Sequence, residues 1–123
     1  MNVYVVWSQP HDSKGDVYMG DHNIIGVYIS ELIAYKTACV KQVYEHMEHD
    51  DFKEEMEDWL YENPFPDAEE DDVNVWQNYF KVVCNDNFIN DKLKKEYSHW
   101  NSNWYKPLYI QYHVTKMELQ IEE

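Results

Sequence analysis

Four groups of residues in this chain have the types and spacing that chemistry uses. His46 and His49 lie three apart, beside Glu45 and Asp50. One helical turn could aim both imidazoles at a single metal ion, with carboxylates completing the shell. Two ligands do not make a site, so this pair is read as solvent-facing, where its helix turns outward, and no metal is expected. The segment from His11 to His22 holds His11, Asp12, Asp16, Asp21 and His22. That is material for acid–base or hydrolase-like chemistry if the side chains converge, and a solvated hairpin loop if they do not. Cys39 and Cys84 have no evident electropositive neighbourhood that would make a thiolate, so both are expected as buried, reduced thiols. The fourth group is acidic. From Glu45 to Asp72 the chain carries 14 carboxylates and one lysine, Lys53.

This acidic stretch is the strongest functional signal. Asp51, Glu55, Asp58 and Glu62 fall on one line of a helix, with neighbours roughly 5–6 Å apart. The repeat is of the same order as the ~3.4 Å rise per nucleotide in duplex DNA. Like charges at i, i+4 cost a helix a few tenths of a kcal/mol per pair, so a row of them points to use. The expected contact set is Asp51, Glu54, Glu55, Asp58, Glu62, Glu69, Glu70, Asp71 and Asp72, facing a basic partner. Asp67–Asp72 lacks the spaced ligands and central glycine of an EF-hand loop.

Composition supports the same direction. The net charge is −14, from 24 carboxylates against ten lysines and no arginine. A field of that sign disfavours nucleic acid and anionic membranes and favours basic proteins. With only three glycines, a backbone cradle for phosphates is not expected. The chain has no Gly-x-Ser-x-Gly, no His-Glu-x-x-His and no Cys/His zinc spacing, so no cofactor is expected. Five Trp, eleven Tyr and four Phe supply a core despite the charge. Cysteine usage and the lack of a signal peptide or long apolar run fit the cytoplasm.

The elements that must position these residues follow from periodicity. One domain spanning residues 1–123 is expected, with strands near 2–8, 24–29 and 108–120. Gln9-Pro10 should stop the first strand, and Gly26 should mark a bulge or a close approach in the second. The last strand changes phase: Ile110, Tyr112 and Val114 alternate one way, Met117 and Leu119 the other. That predicts a bulge near Thr115-Lys116. Ser30 should cap a helix whose buried arc holds Leu32, Ile33, Cys39, Val40, Val43, Tyr44 and Met47. Lys36 falls inside that arc and must reach the rim or a polar group. A second helix carries Phe52, Met56, Trp59 and Leu60 and ends at Asn63-Pro64. Asp72 should cap a third, with Trp76, Tyr79, Phe80 and Val83 buried. A fourth carries Ile89, Leu93 and Trp100. The expected fold is α+β, in the order β-β-α-α-α-α-β, with a small antiparallel sheet and helices on one face.

Val3-Tyr4-Val5-Val6, then Ile24 to Ser30, then a helix with Ala34 and Ala38, resembles small acidic proteins of bacteriophages. The likeness covers about the first 45 residues and the final strand; the stretch from Asp50 to Trp104 departs from it. In size and charge the chain is also similar to phage inhibitors of host defence, of the anti-CRISPR and anti-restriction kinds. The resemblance implies a non-enzymatic inhibitor that works in the host cytoplasm. Its acidic face would occupy the groove where a basic host protein holds nucleic acid, as a DNA mimic, with Trp100, Trp104 and Tyr105 as candidate anchors. The alternatives are an enzyme built on the loop from His11 to His22, and a structural or oligomerising module joined through a strand edge or aromatic patch.

Overall fold

A computed structural model describes residues 1–11, 22–47, 53–85 and 109–119. It is an α+β fold. Strand β1 (Asn2–His11), β2 (Asn23–Tyr28), helix α1 (Glu31–Met47), α2 (Lys53–Glu62), α3 (Val73–Asn85) and β3 (Tyr109–Glu118) follow in chain order. The fourth expected helix lies outside the described residues, as do Trp100, Trp104 and Tyr105.

The three strands form one antiparallel sheet in the order β2-β1-β3. Their β-branched and aromatic residues suit a pleated surface packed on its neighbours. β1 continues through Gln9-Pro10 and does not stop there. Its pairing with β2 ends at Ser8↔Asn23, while the pairing with β3 runs on to His11↔Tyr109. Among the described residues Pro10 thus sits where β1 has one neighbour, the position in which a sheet tolerates proline. The expected irregularity at Gly26 is present: the register shifts between Val6 and Trp7, so that Ile25 is the extra residue. A Cβ on Gly26 would meet the Tyr28 ring at 2.6–2.8 Å. The bulge expected near Thr115-Lys116 is absent, and β3 pairs in unbroken register from Asn2↔Glu118 to His11↔Tyr109. The phase change in its sequence arises because both faces of the strand carry apolar residues.

Ser30 caps α1, its Oγ accepting from the Ile33 N–H at 3.2 Å. The buried face of α1 differs from the expected arc. Ala34, Ala38, Gln42 and His46 are buried, and their spacing of four places them on one line of the helix. Cys39 and Val43 flank this line and are also buried, whereas Ile33, Val40 and Tyr44 are exposed. Small side chains decide the outcome: at Ala34 and Ala38 the helix backbone can come close to Val6, with Tyr4, Tyr28, Phe80 and Val114 around them. Hydrophobicity alone favoured the larger residues and turned the face the wrong way.

A second cluster joins the helices. Val43, Met56, Trp59 and Val83 are buried together, with Met47, Leu60, Phe65 and Tyr79 against them. Met56 and Trp59 are the α2 positions whose spacing predicted burial, and Trp76 and Val83 are buried on α3 as expected. Lys36 resolves its place in the apolar arc by donating to the Ala68 carbonyl at 3.0 Å, with its ammonium 5.3 Å from the Trp76 ring centre. Among the described residues no helix is long and apolar enough to cross a membrane.

Candidate protein-binding surface

Helix α2 is amphipathic in the simplest way. Met56 and Trp59 anchor one side in the helical core, and Glu54, Glu57, Asp58 and Glu62 stand exposed on the rest. Glu54, Asp58 and Glu62 are four apart, so their carboxylates form a line with a repeat of roughly 5–6 Å. Tyr61 stands among them with 90 % of its surface exposed. An aromatic ring so open inside a charged row was not singled out from sequence. Only its place one residue after Leu60, off the Met56–Trp59 side, could have shown it.

The chain then turns without losing its charge. Asn63 closes α2, its backbone and side-chain N–H groups both donating to the Trp59 carbonyl. Tyr79 donates to the Asn63 carbonyl at 2.9 Å and packs on Phe65, which seats the Pro64–Pro66 turn. In the acidic loop the carboxylates divide into two roles. Asp67 Oδ1 accepts from the Glu69 N–H, Glu70 Oε1 from the Asp72 N–H, and Asp72 Oδ1 from the Asn74 N–H as the cap of α3. Trp76 Nε1 donates to the Glu70 carbonyl at 3.0 Å. The Asp67, Glu70 and Asp72 carboxylates therefore shape the loop, while those of Glu69 and Asp71 belong to exposed residues and take no part in these bonds. Of the expected contact set, the structure places Glu54, Asp58, Glu62, Glu69, Asp71 and Asp72 at the surface and Glu70 half-buried. Asp51 and the Glu55 side chain lie outside the described residues.

The histidine pair is corrected. His46 is fully buried, because it continues the Ala34–Ala38–Gln42 line toward the sheet, so it is not solvent-facing; His49 lies outside the described residues. One turn before His46 on the same line, the structure builds a polar centre at Gln42 that sequence reasoning missed. Gln42 is buried, accepts from the Tyr112 N–H at 2.8 Å and donates to the Ile110 carbonyl at 3.1 Å. Its amide thus pairs with β3 at two points, as a residue of a neighbouring strand would. Gln111 Nε2 approaches Gln42 Oε1, Cys84 Sγ and the Tyr112 carbonyl, each at 3.0–3.1 Å. Buried polar groups of this kind fix one packing arrangement because each must be satisfied.

Cys39 and Cys84 are thiols, not joined in a disulfide, and are not poised as nucleophiles. Burial, reinforced by the nearby Cys84, pushes Cys39 up to about 12. Burial also raises Cys84 to about 11, against a lowering influence from Gln111. At neutral pH both stay protonated. Among the described residues, no three His, Cys, Asp or Glu side chains are placed to share a metal ion. The acid–base loop lies outside the described residues from Asp12 to Asp21. Its last histidine, His22, stacks on Trp7 at 5.2 Å between ring centres.

Comparison with protein families, curated proteins and solved structures finds no match. The functional reading therefore rests on this geometry and charge.

Proposed function

We propose that the chain is a non-enzymatic protein-binding inhibitor whose acidic surface occupies the basic groove in which another protein holds nucleic acid. The observation that carries this reading is the exposed line Glu54, Asp58 and Glu62 on a helix whose opposite side is locked in the core by Met56 and Trp59. A rigid row of like charges raises the energy of the free protein and is relieved when a cationic groove closes over it. Glu57, Glu69 and Asp71 extend the charge, and Tyr61 supplies what charge alone does not. Binding energy concentrates in a few aromatic or arginine anchors, while rim charges chiefly set the association rate. The sign of the field selects the partner class, since a protein built to grip phosphates presents cations at comparable spacing. A nuclease or other nucleic-acid-handling enzyme of a host defence system fits this class, in line with the phage-type resemblance.

The test is capture of a partner from bacterial lysate, followed by kinetics on the purified pair. Glu54→Lys, Asp58→Lys and Glu62→Lys together should keep the fold and slow association by about tenfold or more, with salt weakening wild-type binding. Tyr61→Ala should act mainly on dissociation, speeding it by about tenfold. A triple variant that associates at the wild-type rate, in a complex indifferent to salt, overturns the reading.

A further inference from the structure

The acidic loop runs between α2 and α3 but is gripped from a third element. Asp67 to Asp72 packs five carboxylates into six residues, and like charges so close push a free segment apart. The turn it makes is short: the Glu70 N–H donates to the Asp67 carbonyl at 2.8 Å. Two side chains from outside the loop then hold its backbone. Lys36 of α1 donates to the Ala68 carbonyl, and Trp76 of α3 donates through Nε1 to the Glu70 carbonyl, each at 3.0 Å. The two grips support one another. The Lys36 ammonium lies 5.3 Å from the centre of the Trp76 ring, a distance at which cation and ring attract. Trp76 itself is buried, and its carbonyl meets the Cys39 thiol at 3.5 Å, on the helix that carries Lys36. In a segment crowded with carboxylates, the lysine bonds a main-chain oxygen.

We propose that Lys36 is a positioning residue of the acidic surface, holding the loop in one shape so that Glu69 and Asp71 are presented ready-made to a folded basic partner. This rests on the reading of that surface as a dock and adds the loop to it as a preformed part. The bond to Ala68 is what makes the arrangement work. A lysine paired with Glu69 or Asp71 would neutralise a charge that the partner needs. Bound to the carbonyl between Asp67 and Glu69, it fixes the backbone from which those carboxylates project. Asp67, Glu70 and Asp72 are occupied with the loop's own N–H groups, which leaves Glu69 and Asp71 as the pair that Lys36 serves. A loop ordered in advance matters because ordering it during association subtracts from affinity. The partner that gains is one whose cations are themselves fixed on a folded surface, since a mobile basic tail adapts to any loop shape.

The first test needs no partner. A protease that cuts after glutamate should cleave at Glu69 and Glu70 about tenfold faster in Lys36→Met than in the unaltered chain, because cleavage follows the population of the opened loop. Lys36→Arg, which keeps a donor and stacks on an aromatic ring, should protect the loop as lysine does. Amide exchange at Glu69, Glu70 and Asp72 should be slow in the unaltered chain, a readout that decides the matter if Lys36→Met misfolds. The second test is binding of cytochrome c, a folded cationic protein, at about 0.05 M salt. Lys36→Met makes the chain one unit more negative, so charge alone predicts tighter binding; loss of positioning predicts binding weaker by about threefold. With Glu69→Gln and Asp71→Asn already in place, Lys36→Met should no longer weaken it, since the groups it acts through are gone. Fast exchange in the unaltered chain, unchanged cleavage, binding unchanged or tightened by Lys36→Met alone, or an equal loss in both backgrounds overturns the proposal. The acidic-surface reading fails on a different result, an α2 triple variant that binds as the unaltered chain does, whatever the loop does.

Discussion

His46 looks exchangeable in the sequence, a polar residue between two acidic neighbourhoods near a helix end. Its position on the Ala34–Ala38–Gln42 line makes it part of the interior instead. Truncating a buried side chain of that size leaves a cavity that the helix–sheet contact cannot close, so His46→Ala should cost about 2–4 kcal/mol, measured as a shift in the urea unfolding midpoint. An exposed histidine would cost almost nothing. The thiols make a second statement at this scale. Below their ordinary value of 9.0, Cys39 and Cys84 are protonated in the folded and unfolded chain alike. Above it the unfolded chain releases protons that the folded chain retains until about 11 for Cys84 and about 12 for Cys39. Stability should therefore be fully present below about pH 9 and decline as pH rises through that window. Burial raises Tyr79 in the same direction. Urea midpoints taken from pH 8 upward should fall, and Cys39→Ala with Cys84→Ala should flatten the fall.

At the scale of elements, caps and terminators were legible because they are local. Ser30 before α1, Asn63-Pro64 after α2 and Asp72 before α3 each act within a few residues, through bonds that residue type alone implies. Asp72→Ala removes the side-chain acceptor of the Asn74 N–H and loosens the start of α3. It should cost about 1 kcal/mol in thermal or urea unfolding, whereas Asp71→Ala, one residue earlier and outside that bond, should cost close to nothing. The orientation of α1 was not legible. Its direction depends on which side chains let the backbone approach the sheet, and that is set by Val6 and Val114, 32 residues before and 76 after Ala38 in the chain. Hydrophobic periodicity records which residues prefer burial; it does not record which of them fit.

For the whole molecule, the α+β class and a single antiparallel sheet could be read from strand-type runs either side of a helical middle, while the place of β1 at the centre of that sheet could not. The division of the acidic stretch into exposed carboxylates and loop-shaping ones could not. The carboxylates of Glu54 to Asp72 were visible as a composition bias, but Tyr61 gains meaning only once its neighbours in space are known. The phase change in β3 predicts a kink in one strand, whereas the unbroken register shows that β3 itself carries apolar residues on both faces.

The topology carries one more consequence. β1, the first strand of the chain, lies at the centre of the sheet, and its longer partner is the last strand, with the Leu119 N–H donating to the Met1 carbonyl at 2.8 Å. Joining segments more than a hundred residues apart carries a loop-closure cost that local pairing does not share. A chain cut short before Tyr109, whether still emerging from the ribosome or clipped by a protease, keeps only the β1–β2 hairpin, which is marginal as an isolated pair of strands. Such a chain leaves Val114 missing from above Val6 and strips Gln42 of its partners Ile110 and Tyr112. Quality control would meet an acidic, half-built sheet until the final ten-residue strand arrives, and removing that strand is equivalent to removing the fold.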